Sequence, residues 1–453
     1  MREIRPVLVF LLLLNAVSVL AEDQPDEPLA RALDAFLRQE PASHSSPRVQ
    51  PMTLAELEAV AVQQSAEITL AARQAALAQS RIGAAGALED PQFMFRGWGV
   101  PLAAPWDFNR AQNMFMVSQP LPGWGKRAMR SDIAAQEVAT AGVMLEAKRR
   151  EITARVRTAY YDLLLSRDEV RLHHEQVALA HQALESARIR YTVGRVPQQD
   201  VLKAQIALTK LVGHLVDFEQ AGQLARAALN TLMGRLPDAP LDVVGDYQTP
   251  AALPSLADLE EIAIAHRPEL LAVESQIKRE ELALKLARKA YTPDFTVSAG
   301  YMLQPSGSRD RNTYMAEFSL NLPWLNRRKH DSEISQAQSA QALRRAEYDA
   351  IRAAVLQQIQ EALIRARSAK RLADLYRDTL RPQAQATFKA ATAAYQTDRT
   401  DFLNLLDSQN TMLGVEYAYY RALAEFERRV AELELAVGAV VPVRRAEVQE
   451  GSQ

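Results

Sequence analysis

A single stretch of the sequence, from Lys126 to Arg190, contains nothing that would end a helix except the tolerable Gly142. Ala, Leu, Gln, Arg and Glu dominate it, and these residues favour helix. At about 1.5 Å per residue, such a helix would be on the order of 100 Å long. It does not fit a compact globule, because it needs a partner along its whole length. The sequence therefore predicts an elongated, mainly helical molecule.

One face of this predicted helix carries a heptad pattern. Apolar residues recur every seven positions and small residues occupy the neighbouring row, as in a closely packed coiled coil. The first row is Val156, Leu163, Val170, Val177, Leu184 and Tyr191, and the second is Ile152, Ala159, Ala180 and Ala187. Gly194 and Pro197 then break the run, and a second helix is predicted to about Met233.

The second half of the chain follows the same plan as the first. We predict repeat 1 over residues 51–234 and repeat 2 over residues 255–438. Each contains a helix, a β-hairpin, a long helix, a tip turn and a further helix. A proline-rich linker, 235–254, joins the repeats in the middle of the molecule, and residues 439–453 form a C-terminal tail.

The first helix of each repeat is predicted to be continuous. In repeat 1 it begins at Thr53, where Glu56 completes a capping box, and runs to about Leu88. In repeat 2 it covers residues 257–290, and the long helix that follows the hairpin ends near Tyr395.

Two predicted hairpins, 92–119 and 295–322, lie between the helices. The second alternates clearly, with one apolar face made by Phe295, Val297, Ala299, Tyr301 and Leu303 and by Tyr314, Ala316, Phe318, Leu320 and Leu322. This period is typical of transmembrane barrel strands, although a soluble hairpin packed on a helix shares it. Four strands cannot close a barrel, and lipid tolerates no open sheet edge. The membrane interpretation therefore requires several chains.

The amino terminus has the pattern of a secretory signal over residues 1–21. Arg2 and Arg5 precede an apolar run, and small residues ending at Ala21 fit a cleavage site. Residues 22–50 are acidic and proline-rich, which predicts an extended arm with one short helix. The sequence has no Cys, which excludes disulfides, thiolate ligands and lipid attachment to cysteine.

Charge and motifs argue against several other functions. The formal net charge is −2, from 53 Lys and Arg against 55 Asp and Glu, so no basic excess is present to bind nucleic acid. The sequence contains no Gly-rich phosphate loop, catalytic serine motif or paired carboxylate site. We therefore predict no enzyme and no cofactor.

Two groups of side chains include potential metal ligands, and neither predicts a metal site. The histidine spacing favours a solvated or interface patch, and the methionines favour packing in a barrel wall over soft-metal contacts. The residues are His173, His174 and His181, and Met94, Met114 and Met116.

The order of these features resembles the TolC-type outer membrane factor family over residues 51–438. The resemblance also rests on Tyr191–Gly194 with Asp200–Leu202, on Arg267–Leu270 and on the prolines that border the strands. Gly123–Arg127 is similar to the helix start in the family's heavy-metal efflux branch. The resemblance implies a homotrimer in outer-membrane lipid. Four strands per chain would form one β-barrel, continued by a coiled-coil α-helical tunnel across the periplasm.

The resemblance also implies partners and site residues. A periplasmic adaptor (membrane fusion) protein and an inner-membrane pump of the RND or ABC type would dock at the closed tip. The periplasmic gate is expected at Asn404 and Asp407, which stand where the family has two acidic residues, with Asp401 and Tyr395. The adaptor-contacting tips are expected at Tyr191, Val193, Gly194, Arg195, Asp200, Asp398 and Arg399. For each aspartate, a solvated helix end is the alternative.

The expected fold class is therefore mainly α with β, an outer-membrane barrel continued by a long helical tunnel. The predicted function is a passive export duct, the outer-membrane channel of a tripartite efflux or type I secretion system. A periplasmic coiled-coil adaptor or scaffold protein is the alternative. Such an adaptor would carry a lipoyl-like all-β segment, which the sequence lacks.

Overall fold

The computed structural model describes residues 50–441 except positions 101, 104, 106, 108, 195, 249, 251, 398 and 401. The predicted signal peptide and all but the last residue of the predicted arm lie outside the described residues. The elements, in chain order, are α1 (Leu54–Gln64), α2 (Ala66–Gly86), β1 (Gln92–Trp98), β2 (Gln112–Leu121), α3 (Lys126–Thr192), α4 (Gln198–Leu232), α5 (Leu256–His266), α6 (Pro268–Arg288), β3 (Phe295–Leu303), β4 (Asn312–Leu320), α7 (Arg327–Leu375), α8 (Arg381–Gln396) and α9 (Phe402–Val437).

The first helix begins at the predicted capping box, but it is divided. The Thr53 N–H donates to the Glu56 carboxylate at 2.8 Å, and the Glu56 N–H donates to the Thr53 hydroxyl. Ser65 then adopts an extended conformation between α1 and α2. Its carbonyl accepts both the Thr69 N–H and the Thr69 hydroxyl at 3.0 Å, so Ser65 is the N-cap of α2. The prediction of one helix to Leu88 was wrong.

The corresponding helix in the second half is also divided, at Arg267. The next residue is Pro268, whose ring disfavours a helical backbone at the preceding position. Arg267 is extended, and Pro268 opens α6, where its missing N–H costs nothing. The prediction of one helix over 257–290 was therefore also wrong.

The long helix α3 runs unbroken for 67 residues, as predicted. It packs against α2, α4, α6 and α9. Val156, Leu163, Val177 and Leu184 of its heptad row are buried, whereas Tyr191 at the end of the row is exposed.

The second long helix is interrupted where continuity to Tyr395 was predicted. A π-helical turn, Tyr376–Leu380, separates α7 from α8. Pro382 lies at the start of α8 and cannot donate to the carbonyl of Asp378, against which its ring would also clash in a regular α-helix. Widening the preceding turn avoids the clash.

The four strands form one antiparallel sheet in the order β1-β2-β3-β4. The central pair joins the two hairpins, with Leu121 opposite Phe295. Beside this pair, the Gly123 N–H donates to the Asp294 carboxylate at 2.7 Å. A Cβ atom on Gly123 would lie 2.6 Å from the Pro293 carbonyl oxygen, so the close approach of the two halves requires glycine there.

Each of the two largest apolar cores joins a short helix to long ones. One contains residues of α1, α2, α3 and α4, among them Leu57, Ile152 and Leu229. The other joins α5, α6, α7 and α9. The predicted linker takes part in the first core through Leu241 and Val243.

Candidate functional site

One face of the sheet is apolar and exposed. The strand register aligns Phe93 with Val117 and Val297 with Phe318 on this face. Exposure reaches 69% at Phe93, 61% at Phe318 and 86% at Tyr314. A monomeric soluble protein rarely exposes a contiguous apolar area of this kind, which marks a surface for another protein or for a membrane.

Aromatic rings lie at both ends of this apolar face. At the end next to the helices, the ring centroid of Phe295 lies 5.7 Å from that of Trp124 and 5.6 Å from that of Phe318. At the end next to the hairpin turns, the rings of Tyr301 and Tyr314 are 5.8 Å apart. Two aromatic rows flanking an apolar band are the pattern of strands that face lipid.

The opposite face of the sheet is more polar and more closely packed. Ser118 is 9% exposed and Ser298 is 5% exposed, and the two are partners in the register between β2 and β3. A soluble sheet would bury its apolar face and expose its polar one. This sheet does the reverse, because its apolar face is the more exposed one.

The first predicted tip lies between α3 and α4. Gly194 has a φ of 68°, a conformation that glycine adopts readily, and its N–H donates to the Tyr191 carbonyl at 2.9 Å. Tyr191 and Val193 are exposed. Asp200 lies in the first turn of α4, where a negative charge stabilises a helix.

The second predicted tip lies between α8 and α9. Asn404 and Asp407 are exposed and stand three residues apart in the first turns of α9, which puts them on one side of the helix. Tyr395 is half-buried and Arg399 is exposed. The remaining predicted tip and gate residues lie outside the described residues: Arg195, Asp398 and Asp401.

Three exposed apolar residues near the first tip were not predicted from the sequence. Ile189 is 65% exposed, Leu202 is 48% exposed and Ile206 is 57% exposed. Leu202 and Ile206 are four residues apart and lie off the buried row of Val201 and Leu208. That second apolar row on a short helical stretch is the signal that could have identified them.

A set of polar contacts that sequence reasoning missed joins α3 to α9. Arg421 Nε lies 2.6 Å from Glu169 Oε1, and the Tyr417 hydroxyl donates to the Glu169 carbonyl at 2.8 Å. Arg428 forms an ion pair with Asp162. Arg157 forms ion pairs with both Glu434 of α9 and Glu58 of α1. We call this set the polar seam: Glu58, Arg157, Asp162, Glu169, Tyr417, Arg421, Arg428 and Glu434.

Burial governs the electrostatics of this region. Burial raises the pKa of Glu434, and the charge of Arg157 offsets part of that rise. Burial also raises the pKa of Glu427, which accepts hydrogen bonds from Tyr161 and from the Gln248 N–H. A buried carboxylate without such partners would strongly disfavour folding.

His173 corrects one prediction about the histidines. It is 2% exposed, so it does not belong to a solvated patch, although His174 and His181 are exposed. Its Nδ1 lies 3.3 Å from the Tyr417 hydroxyl, and its ring packs against Phe218. Burial, followed by the nearby charges of other histidines, lowers the pKa of His173, and a hydrogen bond to the Leu211 carbonyl opposes that shift.

Within the described part of the chain, no group of three or more His, Asp or Glu residues is placed to hold a metal ion. None of the helices between residues 50 and 441 combines the length and hydrophobicity that crossing a bilayer requires.

Known proteins share this architecture. The chain is 24% identical over 323 residues to the cobalt-zinc-cadmium resistance protein CzcC of Cupriavidus metallidurans, covering 70% of this chain and 75% of that protein. A membrane protein from Pseudomonas aeruginosa matches with a TM-score of 0.70 at 18% identity, covering 85% of this chain and 93% of that one. The outer membrane protein VceC from Vibrio cholerae matches with a TM-score of 0.69 at 18% identity, covering 85% and 96%.

The family model for outer membrane efflux proteins matches residues 60–235 and 259–439, most of the described chain. The match agrees with the exposed apolar sheet, the long helices and the resemblance found in the sequence. This chain belongs to the outer membrane efflux protein family and is an outer-membrane efflux channel that extends into the periplasm.

Proposed function

We propose that three copies of this chain form one closed twelve-stranded barrel in outer-membrane lipid and conduct substrate passively. The observation that carries the proposal is the exposed apolar face of a sheet whose β1 and β4, among the described residues, each pair on one side only. Unpaired backbone groups are too costly in hydrocarbon, so β4 of one chain would pair with β1 of the next.

The helices would continue this barrel as a coiled-coil tunnel, and the two halves of the chain would be repeats of one plan. The order of helices and strands in residues 51–234 and 255–438 supports this. The alternative, a periplasmic adaptor or scaffold, gives no reason for an exposed aromatic sheet face. Because the chain would only conduct substrate, the energy for export would come from a partner pump. The chain itself would carry no catalytic site.

The tips would bind a periplasmic adaptor, which joins the duct to an inner-membrane pump of the RND or ABC type. The exposed Val193, together with Ile189 and Ile206, offers an apolar contact surface there. The relative CzcC is named for cobalt, zinc and cadmium resistance. Export of metal cations is therefore one candidate function here, with the pump selecting the cargo.

The experiment that tests the duct is fractionation followed by gels of unboiled samples and planar-bilayer recording. We expect an outer-membrane protein that migrates as a trimer without boiling, as a monomer after boiling, and that conducts ions after reconstitution. A soluble periplasmic monomer would contradict the proposal.

The gate is proposed at the α8–α9 turn, where three copies of Asp407 would approach one axis. Asp407→Ala is expected to weaken block of the reconstituted channel by divalent cations, because a ring of carboxylates attracts them. Asp238→Ala, an exposed aspartate in the linker, is the control and should leave block unchanged. Unchanged block in Asp407→Ala would place the constriction elsewhere.

A further inference from the structure

Five methionines lie on the polar face of the sheet. Alternation along each strand puts Met94, Met114, Met116, Met302 and Met315 on the side opposite the exposed aromatic rings. The sequence alone relates only the first three, since the other two come from the second hairpin. The strand register brings the two groups together.

Three of these methionines lie in one row across all four strands. Met94 is directly opposite Met116, Met116 is opposite Gly300, and Gly300 is opposite Met315. Directly opposed residues have Cβ atoms about 5 Å apart. The thioethers of Met94 and Met116 are therefore within reach of each other.

Gly300 opens the centre of this row. A Cβ atom there would lie 3.4 Å from the Met116 Cβ and 2.8 Å from the Phe115 carbonyl oxygen. Neighbouring strands are about 4.8 Å apart, so Met116 and Met315 flank a position that has no side chain. Long, flexible methionine side chains can converge over that position. Met114 and Met302 form a directly opposed pair in the next row.

The other residues of this face give no structural reason for five methionines. They include Ser118, Ser298 and Ser319, as expected for a surface that meets water. Two of the thioethers already accept polar hydrogens: Arg96 donates to the Met94 sulfur at 3.6 Å, and the Gln112 amide donates to the Met302 sulfur. Glu317 adds a carboxylate two residues from Met315 on the same face.

We propose that this methionine patch binds a soft monovalent cation of the Ag(I) or Cu(I) class. Uncharged thioethers ligate soft cations, whereas carboxylate and water suit hard ones. Met94 and Met116, which are directly opposed, supply the first pair of ligands, and Met114 and Met302 supply the neighbouring pair. The patch itself belongs to the sheet of one chain. Its position inside a barrel, with three copies around one axis, rests on the proposed function.

The test is Ag(I) binding to the purified full-length trimer in chloride-free detergent buffer, measured by equilibrium dialysis. The wild-type protein is expected to bind Ag(I) saturably, and excess Zn(II) is not expected to displace it, because zinc is harder than silver. The triple variant Met94→Leu, Met114→Leu, Met116→Leu disrupts both pairs and should lose this saturable component. Leucine keeps the volume of methionine, so packing is retained.

A matched triple variant, Met52→Leu, Met129→Leu, Met144→Leu, removes three methionines outside the sheet and should bind Ag(I) as the wild type does. Equal binding by both triple variants, or displacement of Ag(I) by Zn(II), would overturn the proposal. Trimer migration on unboiled gels is recorded for every sample. A trimer without the silver site would contradict this inference alone, whereas a soluble monomer would contradict the proposed duct.

Discussion

Ala316→Arg is expected to remove the trimer from the outer membrane. Ala316 lies opposite Ala299 near the middle of the β3–β4 pair, on the exposed apolar face. An arginine that faces the middle of the bilayer costs about 2–4 kcal/mol, and a trimer would carry three of them. The measurement is the amount of trimer in outer-membrane fractions, on unboiled gels, relative to total protein.

Glu317→Arg is the matched control, because it places an arginine at the neighbouring position of the same strand and at the same depth. Glu317 is also exposed in the single chain but belongs to the polar face. We expect this variant to retain the trimer, since an arginine there would face a wet interior. If both variants lost the trimer, or both kept it, the two faces would share one environment and the lipid-facing assignment would be wrong.

The strands and long helices could be predicted because local pattern decides them. The alternation that begins at Phe295 and the absence of helix breakers after Lys126 are properties of short windows of sequence. Local patterns do not indicate that the sheet belongs to a membrane duct. The family resemblance implied it. The family match confirms that the chain is an outer-membrane efflux channel, without testing the position of the sheet.

The helix breaks were harder to predict because the local signals were ambiguous. Pro268 and Pro382 both occur within helical patterns, and proline is compatible with a helix start, a kink or a π turn. Ser65 is compatible with either a cap or a helix interior. Each break relieves a local constraint at that position, but the sequence alone did not indicate which of these outcomes the position would take.

The polar seam could not be predicted from the sequence, because its contacts join residues that are far apart in the chain. Glu169 and Arg421 are separated by most of the chain, and each taken alone resembles an ordinary charged helix residue. The burial of Glu169 at 5% exposure becomes evident only when α9 lies against α3. The same packing explains His173, which has the sequence context of a solvated side chain but is buried, with its ring edge-on to those of Phe218 and Tyr417.

Arg157→Met is expected to lower stability more than any other single change in the polar seam. Arg157 forms ion pairs with carboxylates from two other helices, and the side chains of Arg157, Glu58 and Glu434 are only 25%, 22% and 14% exposed. Removing the cation leaves two half-buried carboxylates side by side. The expected loss is about 3 kcal/mol, the lower end for a broken buried pair, because the site keeps some contact with water.

The loss should depend on pH, and this dependence separates charge from packing. Burial already raises the pKa of Glu434 above its usual value of 4.5, and without Arg157 that pKa should rise further. The folded variant then binds more protons than the unfolded chain, so its stability falls as pH rises through and above this value. The loss of stability relative to the wild type is expected to be largest at neutral pH and to shrink as pH falls toward 4.5. Thermal loss of the helical circular-dichroism signal in detergent measures it.

Two further variants decide whether the polar seam acts through its charges. Adding Glu58→Gln and Glu434→Gln to Arg157→Met should restore most of the lost stability, since no unpaired charge then remains. Arg73→Met, at an exposed position of α2, removes an arginine without touching the seam and should leave the unfolding midpoint nearly unchanged. A deficit in Arg157→Met that is constant with pH, and that the glutamines do not relieve, would mean that the arginine stabilises the fold by packing its aliphatic stem.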